Sequence, residues 1–241
     1  MSVFTSLIIL LLATLIQSLL QLSPGLFSIF YHHSLGTSSA KKTDDRSLSF
    51  IVGTEITTAL VFLIVYSCTT FFILENNAQI LLYVMAGIFL FEACFMFFCY
   101  FKSRHFKKSK NTITELFFSR RLTSALIHRV EKAKSRSDTI LLGLVTAALE
   151  LIITLPLYII CSVALLSISV NFGFIFIIIY TVAATIPLFC IRTYFRTGHN
   201  LAELTRLRSK SVVTLKIIFF LAFIIIAILV FLSALSNQGA L

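Results

Sequence analysis

Glu150 and Pro156 stand inside an otherwise mostly apolar stretch that runs from 139 to 168. A carboxylate near the centre of a bilayer costs about 2.5–3.5 kcal/mol on insertion scales, so it faces a protein interior or a wet cavity. Pro156 has no N–H to offer the carbonyl of Ile152, and in lipid that carbonyl must find a water or a ligand instead. A carboxylate that can take up a proton or a cation, with a freed carbonyl nearby, makes the beginnings of an ion or solute site. Thr154 adds a hydroxyl between them. A second break, Gln21-Leu22-Ser23-Pro24-Gly25, interrupts the first apolar run and frees the carbonyl of Leu20. Thr14, Gln17 and Gln21 are three or four apart and lead into it along one helical stripe, either as ligands or as interhelical hydrogen-bonding glue. Two interrupted helices in corresponding positions of two halves point to a transport site.

Two further carboxylates enter apolar runs from the ends. Glu55 lies nine residues beyond Arg46, up to about 14 Å deep at the helical rise, or close enough to snorkel back to that arginine. Glu92 lies ten residues before Lys102. If they face each other they form a cation or proton relay. Cys68, Cys94, Cys99, Cys161 and Cys190 all fall within or at the ends of apolar runs, and read as reduced, buried small hydrophobes rather than metal ligands. No Gly-x-Ser-x-Gly, His-Glu-x-x-His or phosphate-binding glycine loop is present. The chain is therefore expected not to be an enzyme and to need no cofactor.

The elements that must position these residues are membrane helices. The chain is 58% hydrophobic and 12% charged, with a mean hydropathy of +0.99, the composition of an integral membrane protein. Six runs are long enough to span: 3–31 with its break at Pro24, 49–73, 78–101, 139–168, 171–191 and 212–234. The first lacks the basic start of a secretory signal and is expected to be retained. Of the twenty basic residues, three precede the second run, eleven lie between Lys102 and Arg136, and six between Arg192 and Lys216. The connections around 75–77 and 169–171 have none. This bias places both termini outside the cytoplasm and accounts for the net charge of +10 without nucleic acid. Ser34 to Arg46 reads as a flexible cytoplasmic loop. In the basic connector, Thr112 and Glu115 read as a capping box opening an amphipathic helix for anionic lipid.

Leu22-Ser23-Pro24-Gly25, then His32-His33-Ser34-Leu35-Gly36, a charged loop and Ile51-Val52-Gly53 resemble the lysine-exporter superfamily. Its first span carries a Ser/Thr-Pro-Gly-Pro break, here ending in Leu26 where the second proline would stand. The resemblance implies six spans in two three-span repeats, with Pro24 and Pro156 flanking a central cavity and Gly25 letting backbone approach the substrate. One branch of that superfamily relays reducing equivalents through a cysteine in each broken span. The first run here has no cysteine, so no such dithiol can form.

The expected fold is thus all-α, a polytopic bundle of six transmembrane helices in two inverted repeats, 1–101 and 139–241, joined by a basic connector, 102–138. The expected function is a secondary transporter or exporter of a small solute, an amino-acid-like or lipidic molecule, in the cell membrane. It would work by alternating access at the two breaks, with proton coupling through Glu150. Glu150, Thr154, Pro156, Pro24, Gly25, Ser23, Gln21, Gln17, Glu55 and Glu92 are the candidate binding residues. The alternatives are a divalent metal transporter, with His32 or His33 joining the glutamates, and a membrane assembly protein whose breaks serve packing alone.

Overall fold

The structure, a computed structural model, describes residues 1–20, 40–74, 78–105, 128–129, 132–133, 135–169, 173–197 and 201–236. Among these the chain is helical, with α1 at Val3–Leu20, α2 at Ala40–Leu74, α3 at Ala78–His105, α4 at Arg136–Ile168, α5 at Gly173–Arg196 and α6 at Leu201–Ser236. Ser2 Oγ accepts from the Thr5 N–H at 3.1 Å and so starts α1. A capping box starts α4: Ser135 Oγ accepts from the Asp138 N–H and the Asp138 carboxylate accepts from the Ser135 N–H, each at 3.0 Å. The box expected at Thr112 and Glu115, with its amphipathic helix, lies outside the described residues.

Among the described residues four helices are long and apolar enough to cross a membrane, within Lys42–Ile73, Ala78–Phe98, Gly173–Arg196 and Lys216–Ser236, and the two arms of α4 taken together make a fifth. The described part of α1 is apolar but shorter, and its expected break at Pro24 lies outside the described residues. The chain is a multi-pass membrane protein by these lengths and compositions. α2 corrects one expectation, because 40–46 is helix rather than loop. Tertiary ion pairs hold that polar first part in place. Asp44 accepts from both Arg192 Nε at 2.8 Å and Arg192 Nη2 at 2.7 Å, and Asp45 meets Arg136 at 2.5 Å.

Specific contacts fix the helix directions. Ser6 meets Ser167 and Gln17 meets Tyr158, so α1 runs against the second arm of α4. Gly173 packs on Tyr66, Tyr180 on Phe62 and Arg192 on Asp44, so α5 runs against α2. Tyr83 meets Phe231, Phe89 meets Phe223 and Phe97 meets Phe220, so α3 runs against α6. α2 and α4 run the same way, Gly53 against Ile140 and Phe62 against Tyr158. One end of the bundle therefore holds the start of α1 and the ends of α2 and α4. The described basic residues gather at the other end.

The α2–α4 crossing is made by two glycines. A Cβ on Gly53 would strike the carbonyl oxygen of Ile140, and one on Gly143 would strike the carbonyl oxygen of Phe50 and come within 2.9 Å of the Thr54 nitrogen. Backbone thus lies directly on backbone, as small residues allow at membrane helix interfaces. The other extensive interface joins α3 to α6, where Met85, Phe89, Ala93 and Met96 bury against Phe219, Phe223, Ile226 and Val230. Smaller interfaces join α1 to α4, α5 and α6, α2 to α5, α3 to α4, and α4 to α5. All but the last bring together a helix of the first half and one of the second, so the two halves interleave.

Candidate functional site

α4 bends by 75° between Arg136–Leu151 and Ile153–Ile168, one turn before Pro156, where the missing N–H removes a rung of the helix ladder. Glu150 lies just before the bend and is 5% exposed. Thr154 and Tyr158 follow at four-residue intervals on the same face, both buried, and Pro156 itself is half-buried. The Thr154 hydroxyl donates to the Glu150 carbonyl at 3.1 Å, one way a threonine satisfies backbone near a break.

Tyr158 is the hub. Thr154, Thr58 of α2 and Glu150 are its polar neighbours. Gln17 of α1, 1% exposed, brings its Nε2 to within 3.2 Å of the Tyr158 hydroxyl oxygen. The Gln17 amide donates to Tyr158 there. Gln17 Oε1 is then left buried with no hydrogen-bond partner. Beside it Phe62 stacks on Tyr158, with ring centroids 5.1 Å apart, and Tyr180 of α5 closes edge-on at 4.9 Å from Phe62 and 5.9 Å from Tyr158. The Tyr180 hydroxyl is also buried without a partner. Three helices and the broken fourth therefore converge on one polar corner inside an apolar core.

Of the candidate residues, the structure brings Glu150, Thr154, Pro156 and Gln17 together. Gln21, Ser23, Pro24 and Gly25 lie outside the described residues. Thr14 lines a different space from Gln17, with its hydroxyl returned to the Leu10 carbonyl at 2.7 Å. It faces instead an open apolar groove of about 820 Å³ between α1, the end of α4 and α5, lined by Leu7, Leu11, Ser18, Phe176 and Pro187. That groove offers only hydroxyls already bonded to their own helix. Glu55 is half-buried on α2, which packs against α4 and α5, whereas Glu92 is half-buried on α3, which packs chiefly against α6. The helices carrying the expected carboxylate relay thus have different principal partners. Glu92 keeps one buried oxygen without a hydrogen-bond partner.

Tyr158, Tyr180, Thr58 and Gly143 are the residues that motif reading passes over. The spacing of Glu150, Thr154 and Tyr158 is a signal that could have found the first, whereas Tyr180 and Thr58 have no counterpart pattern in an apolar run. Among the described residues no group of three or more His, Cys, Asp or Glu is placed to hold a metal ion. His32 and His33 lie outside them. In comparisons with known proteins, no family model matches the chain, and neither a curated protein nor a solved structure matches it. The resemblance to the lysine exporters therefore rests on its short motif alone.

Proposed function

We propose that this chain is a membrane transporter of a small solute, working by alternating access about the bend in α4 with Glu150 as the proton-carrying group. The observation that carries the reading is α4 itself, a membrane helix bent by 75° with a buried carboxylate on one side of the bend and a polar cluster on the other. A helix that served packing alone would have no need of a carboxylate in its interior. The interfaces support a two-fold plan. Exchanging α1 with α4, α2 with α5 and α3 with α6 returns the interfaces α1–α4, α2–α5 and α3–α6 to themselves, turns α2–α4 into α1–α5, and turns α1–α6 into α3–α4. That is the pattern expected of inverted repeats. With the basic end in the cytoplasm, the start of α1 faces outward.

The test is proton flux in proteoliposomes holding a pH-sensitive dye, under an imposed gradient and with amino acids, divalent metals and lipids supplied in turn. Wild type is expected to move protons with at least one of these. Glu150→Gln is expected to lose pH-driven flux while remaining folded. Equal flux in both proteins would remove Glu150 from the mechanism. No flux under any condition would favour the assembly reading.

A further inference from the structure

Glu92 is a carboxyl that the bend in α4 does not use, and it stands on a seam of α3. At about 3.6 residues per turn, Phe89, Ala93 and Met96 lie to one side of it and bury against α6, while Phe91, Phe95 and Phe98 form a stripe along the other side. That stripe faces outward, with the three residues 71%, 44% and 67% exposed. The apolar span of α3 ends at Phe98, so Glu92 lies less than two turns, about 9 Å, inside the basic end. Its open edge therefore meets acyl chains rather than water.

A carboxylate at that depth needs a donor or a counter-charge. The described residues give it neither. Glu92 Oε2 is buried with no hydrogen-bond partner, and none of the ion pairs among the described residues includes Glu92. Lys216 of α6, the helix packed on this seam, is engaged with other groups. Whatever completes the site has to carry positive charge to match the carboxylate, an apolar body to reach a group that opens to lipid, and a charge spread thinly enough to leave water. A hydrated metal ion fails the last two conditions, and an anion or a neutral lipid fails the first. Phenyl faces add the attraction of an aromatic ring for a desolvated cation, and Phe95 is one turn from Glu92. We infer that this edge of α3 binds lipophilic organic cations from the bilayer, quaternary ammonium or phosphonium compounds with bulky apolar substituents, the Glu92 carboxylate facing the charge and the Phe91, Phe95 and Phe98 rings facing the body. The inference supplies a substrate class to the transport reading and rests on that reading for its purpose, although the binding itself is measured without flux.

The experiment is equilibrium dialysis of radiolabelled tetraphenylphosphonium against the full chain in detergent, with the same micelles on both sides. Saturable binding is expected. Glu92→Gln should weaken it by about tenfold and Phe95→Leu by about threefold. Phe71→Leu, which removes an exposed ring on α2, should leave it unchanged. Tetraphenylborate has a matching body with the opposite charge, triphenylphosphine oxide has no net charge, and tetramethylammonium has the charge with little body, so none of them should displace the probe. Dicyclohexylcarbodiimide reads the same carboxyl in the wild-type chain. Mass spectrometry should find its adduct on Glu92, and tetraphenylphosphonium should suppress it. The inference is overturned by undiminished binding in folded Glu92→Gln, by equal binding of tetraphenylborate or triphenylphosphine oxide, or by an adduct on Glu92 that the cation does not suppress. A dimer in light scattering that Glu92→Gln dissolves would also overturn it, by making the edge a contact between copies. Tetraphenylphosphonium binding without proton flux would keep the site and remove the carrier. Proton flux without tetraphenylphosphonium binding would do the reverse.

Discussion

The two arms of α4 belong to one helix and are held by different means. The first, Arg136–Leu151, is fastened to α2 by shape, with Gly53 and Gly143 letting backbone lie on backbone, and by one ion pair at its start. The second, Ile153–Ile168, buries Leu157, Ile160, Ala164 and Leu165 in the apolar core and adds hydroxyl and amide contacts, through Tyr158 with Gln17 and through the Ser6–Ser167 pair, whose oxygens are 2.6 Å apart. A contact built on the absence of side chains has one fit and tolerates nothing larger. A contact built on hydrogen bonds can exchange partners. The first arm therefore suits a fixed frame and the second a part that moves, with Glu150 at the boundary between them.

Volume is the sharpest way to break this contrast. Gly143→Leu should drive a side chain into Phe50 and Thr54 and cost about 3 kcal/mol, read as a large fall in melting temperature or failure to recover folded protein. A variant that melts like wild type would mean the crossing is not tight. Polarity comes next. Tyr158→Phe removes the hub and leaves Gln17 short of a partner, costing about 1–2 kcal/mol. Tyr180→Phe, which removes a hydroxyl that has no partner, should be neutral. Equal losses in the two would show that burial rather than bonding governs the second arm.

Charge at the basic end should matter less. Asp44 holds Arg192 through two parallel bonds in a partly buried setting, and Asp44→Asn should cost about 1 kcal/mol. Asp45 pairs with a largely exposed Arg136, so Asp45→Asn should change stability by about 0.3 kcal/mol, and less in high salt. Should the second substitution prove the more damaging, the first arm would be held at its start rather than at the glycines.

What could be read from residue order follows the same division. Glu150 and Pro156 are out of type in an apolar run, and the structure places a bend and a polar corner there. Hydropathy also announced the helices, with 96% of the described residues helical and no strands. The start of α2 at Ala40 was not legible, because Lys41, Lys42, Asp44 and Asp45 resemble a loop until Arg136 and Arg192 arrive from later helices. Gly53 was visible but its partner was not, since Gly143 lies ninety positions on and nothing local marks two glycines as facing each other. Tyr158 and Tyr180 were hidden for a related reason. An aromatic in a membrane span reads as filler unless the atom its hydroxyl meets is known.

The interleaving of the two halves bears on how such a bundle is made. Almost every described interface crosses from the first three helices to the last three. During synthesis α1, α2 and α3 would enter the lipid with few lasting partners, and Gln17 would wait there unsatisfied until Tyr158 emerges. The nascent first half is then a holding pattern rather than a folding intermediate. Its survival in the bilayer depends on how soon α4 is delivered, which makes the basic stretch ahead of α4 a timer as well as a tether.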